Sequence, residues 1–246
     1  MKKFVIVGGL SRTGTNTTTS FIHLHDRAVS FGTAAGLHPL KEGLDFIRTL
    51  LEEKKGLQSP GVMRNNIYFK EYMAEKNERL NNEPIDVDVI CLRWDGGEAI
   101  FPLILGIVPK GVEPLLIVNL RSLPETFTSQ FSNGMLNTEA KEKALIFFKK
   151  RMEDSYTYAE HIHSKMSERV LFVDVTGEDA LQNYERILAF LELSPNEYQR
   201  EWMDQLPVTN QTDWTKVTKY QFGDFGELET KRQELLTIGG PKGRAA

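Results

Sequence analysis

Cysteine is nearly missing from this 246-residue chain: Cys91 is the only one. That excludes an intrachain disulfide and a cysteine-rich zinc site. Cys91 falls in an apolar run, 87–92, which reads as a buried, inert thiol. Long hydrophobic runs are missing too. No stretch reaches the ~18 apolar residues that a bilayer-spanning helix needs. The apolar start after Lys2-Lys3 stops at Gly8-Gly9, too soon for a signal-peptide core. Excess positive charge is also lacking. The 30 basic residues against 34 acidic ones leave a net charge of −4, with no global pull towards nucleic acid or an anionic membrane. The chain is expected to be soluble and cytoplasmic, without a nucleic-acid or membrane partner, and any anion site must be local.

The remaining composition, 40% apolar and 26% charged, is that of an ordinary globular protein. Five short apolar runs, at 3–7, 27–31, 86–92, 115–120 and 169–175, are rich in Val, Ile, Leu and Phe and read as buried strands. Helical patterns lie between or beyond them at 15–25, 40–54, 63–77, 139–166 and 179–193. Alternation of strand and helix predicts a single α/β domain with a central, mostly parallel sheet covered by helices on both faces. The segment from about 210 to 246 has few apolar runs and is expected to be a surface cover.

The first strand leads into Gly8-Gly9-Leu10-Ser11-Arg12-Thr13-Gly14-Thr15-Asn16-Thr17. Strand, glycine-rich loop and helix together aim backbone N–H groups and a helix N-terminus at an anion. The spacing Gly9-x4-Gly14 matches a nucleotide-hydrolysing phosphate loop, but the lysine due after the second glycine is absent: Thr15 occupies its place. The positive charge has moved inside the loop, to Arg12.

A second cluster follows the fourth strand. Arg121 falls at the strand's C-terminal edge, where open α/β sheets place ligands, Pro124 suits the first turn of a helix, and Ser129 comes eight residues after Arg121. A guanidinium and a hydroxyl can each bond a phosphate, though a surface ion pair is the alternative for Arg121. Helix geometry puts Glu125 and Ser129 on one face, with Glu125 favoured at the helix start by the dipole.

These two segments resemble the cofactor motifs of sulfotransferases, the enzymes that use 3′-phosphoadenylyl sulfate (PAPS). Ser11-Arg12-Thr13-Gly14-Thr15 is similar to the family's 5′-phosphosulfate loop, and Arg121 with Ser129 to its 3′-phosphate motif. The resemblance implies a P-loop-like sulfotransferase architecture, with PAPS as co-substrate and no metal required. Arg12 would contact the bridging oxygen and the sulfuryl group, while Thr13, Gly14, Thr15, Asn16 and Thr17 would hold the 5′-phosphate. Asn16 departs from the threonine or serine usual there. Residues 169–193 resemble a late strand-loop-helix segment of the family, with Asp174 and Glu178 structural. Lys242-Gly243-Arg244 is similar to a loop that closes over the 3′-phosphate in carbohydrate sulfotransferases. Arg93, beside Asp95, falls at a strand end where several family members have a basic residue near the transferred group, so the resemblance makes both substrate-site candidates.

Sulfuryl transfer needs a group to take the acceptor's proton. His38 and Glu42, just beyond the second strand, are the two candidates, and the residues leave the choice open. His23, His25, His161 and His163 read as packing or surface residues; the first two fall some 15 Å along the helix from its phosphate end at ~1.5 Å per residue. The acceptor is expected to be a small molecule or carbohydrate carrying a hydroxyl or amine, with Trp94, Phe131 and Trp214 available to line its site or to serve as core. Two rival readings remain: a P-loop kinase acting on a small molecule, and a non-catalytic domain that binds 3′-phosphoadenosine 5′-phosphate (PAP) and transfers nothing.

Overall fold

The computed structural model describes residues 2–31, 44–45, 47–48, 51, 69–82, 87–132, 141–209 and 225–238. Five strands, β1 (Lys2–Gly8), β2 (Ala28–Phe31), β3 (Val89–Arg93), β4 (Val112–Asn119) and β5 (Val170–Val173), form one sheet. Their order is β2-β3-β1-β4-β5 and every pairing is parallel, so the expected mostly parallel sheet is wholly parallel among the described strands. β1 is central, flanked by β3 and β4. Each strand is apolar almost throughout, as burial on both faces requires.

Alternation of side chains along the strands divides the core in two. Phe4, Ile6, Ile90, Leu92, Leu116 and Val118 point to one face. There they meet α3 (Gly97–Ile107), α4 (Leu123–Ser132), α5 (Lys141–Lys165) and α8 (Gly226–Ile238) through Phe101, Phe127, Phe148 and Leu235. Val5, Val7, Cys91, Ile117 and Val173 point the other way, to α1 (Thr15–His23), α2 (Lys70–Asn82), α6 (Ala180–Leu191) and α7 (Glu197–Thr209) through Phe21, Met73, Tyr184 and Trp202. Burial pushes the Cys91 thiol up to about 12, which keeps it protonated and inert.

Several boundaries differ from the sequence expectation. α2 begins seven residues later than the pattern starting at 63 suggests and runs on to Asn82. α3, which the sequence reading did not expect, carries Pro102 within it, exposed, and starts at the second glycine of the Gly96-Gly97 pair. α7 and α8 carry no clear apolar stripe in the sequence. α8 lies inside the expected cover segment, yet buries Arg232 and Leu235. Of the helix expected at 40–54, Leu44, Asp45, Ile47, Arg48 and Leu51 are helical, and Ile47 and Leu51 are buried in the core.

The histidines near the end of α1 are packing residues. His23 is fully buried; burial pulls it down to about 3, and its Nδ1 accepts from the Ser30 N–H. Lys76 of α2 reaches across and donates to the carbonyls of His23, His25 and Ala28 at 2.5–2.6 Å, which satisfies the open end of α1.

Candidate functional site

The loop after β1 is held by residues far away in sequence. Gly9 has φ +105, and a Cβ there would lie 2.6 Å from the Asn119 carbonyl, so only glycine fits. Its N–H donates to Glu98 and its carbonyl accepts from the Gly96 N–H. Gly14, at φ +101, precedes α1 and supplies no side-chain cap. The first amides of α1, at Thr15, Asn16 and Thr17, therefore have no capping side chain at Gly14; the helix ladder starts with Thr18 N–H on the Gly14 carbonyl. An uncapped N-terminus at a strand edge suits a phosphate.

The loop's hydroxyls divide their work. Thr13 is buried and its hydroxyl donates to the Leu10 carbonyl, which closes the turn. Thr18 donates to the buried Asn119 at the end of β4. Ser11 donates to Asp95. Asn16 and Arg12 are exposed at the loop's open side. Arg12 is one of two non-glycine residues described with positive φ, at 74°, a backbone arrangement unfavourable for any residue with a Cβ.

The two motifs read from the sequence come together. Arg12 Nε donates to the Ser129 hydroxyl at 2.8 Å, across 117 residues of chain. Arg121 Nη1 stands 3.5 Å from the Arg12 carbonyl, and Gln130 Nε2 donates to the Ser11 carbonyl at 2.7 Å. Arg121 is also paired with Glu125 at 2.9 Å, one helical turn on. Glu125 thus does more than favour the helix start: it holds Nε of the guanidinium whose Nη1 stands at the loop. β1 and β4 are neighbours, so parallel pairing alone delivers both segments to one edge of the sheet.

Arg93 and Asp95 complete that edge on the other side of β1. Trp94 N–H donates to the Val7 carbonyl, which holds this segment against the loop strand. One carboxylate oxygen of Asp95 takes the Ser11 hydroxyl; the other, Oδ1, is buried and has no partner among the described residues. The Nε of Arg93 is in the same condition. Burial pulls the Arg93 guanidinium down, and Asp95 opposes that shift. An unpaired buried polar atom is costly, and Arg93 Nε and Asp95 Oδ1 are two of several such atoms among the described residues.

His38, Glu42, Lys242, Gly243, Arg244 and Trp214 lie outside the described residues. Trp94 is buried, and Phe131 stacks on Phe127 at 5.8 Å, the core fate for both. Among the described residues, no group of three or more His, Cys, Asp or Glu is placed to hold a metal ion, and no helix is long and apolar enough to cross a membrane.

Sequence reasoning missed Glu98, Asn119, Gln130, Glu229 and Arg232. None belongs to a spaced motif, and each acts through a contact at least 89 residues away. Glu98 is the most telling. It is wholly buried, takes the Gly9 N–H on one oxygen and the Ser155 hydroxyl on the other, and burial raises it above the ordinary carboxylate value. The native state therefore holds this proton more tightly than the unfolded chain. Its contribution is fully present below the ordinary glutamate value and is lost as pH rises through the raised one. Denaturant unfolding across pH should show wild type losing stability relative to Glu98→Gln as pH rises through that window. A difference independent of pH would mean that Glu98 does not titrate with folding.

No protein-family model matches the chain, and no curated protein matches it by sequence. Solved structures do match. The sulfotransferase STF9 from Mycobacterium avium superposes with a TM-score of 0.56 at 13% identity, covering 96% of this chain and 76% of that one. The sulfotransferase domain of the Synechococcus PCC 7002 olefin synthase gives 0.51 at 13% identity, covering 96% and 94%. With a five-stranded parallel sheet in the order β2-β3-β1-β4-β5 and helices on both faces, this chain has the sulfotransferase fold.

Proposed function

We propose that the protein moves a sulfuryl group from PAPS to a hydroxyl or amine of a small molecule or carbohydrate, releasing PAP. The observation that carries this reading is the meeting of Arg12 and Ser129, which joins the two phosphate motifs into one site. PAPS supplies an activated sulfuryl group on a 5′-phosphate and a second phosphate at the 3′ position. The loop amides and Arg12 bind the first phosphate and offset negative charge on the leaving oxygen; Arg121 and Ser129 bind the second. The acceptor oxygen or nitrogen forms a bond to sulfur as the sulfur–phosphate oxygen bond breaks. The acceptor's proton passes to a base at this edge. His38 and Glu42 are candidates by their place after β2, and Asp95 joins them through its unpartnered oxygen. Arg93 beside it suits an acceptor oxygen.

The kinase reading lacks its lysine, since Thr15 stands after Gly14. The measurement that separates the readings is thermal stabilisation. PAP is expected to raise the melting temperature more than ADP, or ATP with magnesium, because only PAP fills both grips. At 100 times its dissociation constant a ligand adds ~2.7 kcal/mol, well within detection. Equal stabilisation by ADP and PAP sinks the reading. Binding of PAP with no transfer to any acceptor leaves the non-catalytic domain.

A further inference from the structure

Arg232 of α8 is charged yet only 5% exposed. A buried guanidinium is tolerated only with several acceptors in good geometry. Arg232 has three, and each belongs to a part of the site. Nη1 donates to the Leu120 carbonyl at 2.9 Å, the peptide that leads into Arg121. The same nitrogen lies 3.1 Å from Asp174 Oδ2 at the exit of β5. The other oxygen of Asp174 holds the Thr176 and Gly177 amides, and Val175 and Thr176 of that turn are the side chains that a Cβ on Gly14 would meet, at 3.0 and 3.3 Å. The third acceptor is Glu229 Oε1, at 2.6 Å. Its partner oxygen, Oε2, accepts from the Leu123 N–H, the first amide of α4, the helix that carries Glu125 and Ser129. Glu229 also lines, with Ser122, Pro124 and Thr230, an open surface groove beside the segment that follows Arg121.

One side chain on the last described helix thus touches the supports of both grips: the turn against Gly14 and the strand exit and helix start that present Arg121 and Ser129. We propose that Arg232, with Glu229, is a positioning residue that sets the two phosphate grips against each other, so that α8 determines the preference for a nucleotide phosphorylated at both the 5′ and the 3′ position. The inference rests on the sulfotransferase reading. It predicts a specific defect. A site whose grips drift apart still takes one phosphate at a time, but loses the gain from taking two together.

The test compares PAP with adenosine 5′-monophosphate by calorimetry on wild type, Arg232→Met, Arg232→Lys and Glu229→Ala. Wild type is expected to bind PAP more tightly. In Arg232→Met the preference for PAP should fall by about tenfold or more, while the affinity for the monophosphate stays within about threefold. Arg232→Lys should recover part of the preference. Glu229 is only partly buried, and Glu229→Ala leaves the Arg232–Asp174 contact in place; it should lose about threefold and serves as the readout if Arg232→Met does not fold. A merely structural role lowers both affinities together and leaves their ratio unchanged; that result in folded Glu229→Ala and Arg232→Lys overturns the proposal. A wild type that binds PAP no better than the monophosphate fails the sulfotransferase reading itself, and is recognised before any variant is made.

Discussion

Turnover is expected to fall roughly 10²–10⁴-fold in one of three variants, His38→Ala, Glu42→Ala or Asp95→Asn, with PAP affinity held within about threefold. Removing a proton acceptor raises the barrier to the chemical step without touching the phosphate grips, so rate and affinity should separate. His38 and Glu42 follow β2, whose C-terminal end a parallel sheet brings to the same edge as the loop. Asp95 follows β3, which lies between β2 and β1 and is therefore closer to the loop strand. Its hydrogen bond to Ser11 fixes one oxygen and leaves the other for a proton donor. Labelled PAPS with a panel of alcohols, phenols, sugars and amines supplies the acceptor for the assay, and calorimetry with PAP supplies the affinity. A loss confined to Asp95→Asn assigns the role to β3; a loss confined to His38→Ala or Glu42→Ala returns it to the segment after β2. Near-normal turnover in all three removes the proton acceptor from this edge of the sheet.

Arg121→Ala should weaken PAP binding by about 1.5–3 kcal/mol, the range for a hydrogen bond to a charged group, or roughly 10- to 150-fold. Adenosine 5′-phosphosulfate, which lacks the 3′-phosphate, should bind nearly as before. The pair with Glu125 adds a second arm. Glu125→Gln keeps a hydrogen-bond acceptor at that distance but removes the charge that orients Arg121, so its loss should be smaller than that of Arg121→Ala and should fall on the same ligand. Equal losses for PAP and adenosine 5′-phosphosulfate would show that Arg121 acts through the fold.

The sheet was legible because both faces of every strand are buried: the apolar runs had no alternation to confuse them, and all five strands appear within a few residues of their expected places. That the two motif segments would meet was legible for a different reason. Each is local in sequence, a loop of six residues and an Arg–Ser pair eight apart, and parallel topology alone brings them to one edge. What escaped was the supporting chemistry. Glu98, Gln130 and Arg232 act through single contacts spanning the chain, and a lone glutamate or arginine on a helix reads as solvated surface. α8 was hidden for the same reason: its buried side includes Arg232, a charge, where an amphipathic pattern needs an apolar residue.

The positive φ of Arg12 has a consequence for engineering. The loop from Gly9 to Thr17 contains no other charged residue, and the one it has occupies a backbone conformation that costs an L-residue about 1–2 kcal/mol. Glycine or asparagine at position 12 relieves that cost. A screen that ranks variants by melting temperature in the absence of nucleotide therefore rewards the loss of the very side chain that reaches Ser129, and would converge on a sturdier scaffold with an empty hand. Improving this protein for storage or heat requires selection with ligand present, so that the strain at Arg12 is weighed against what it holds.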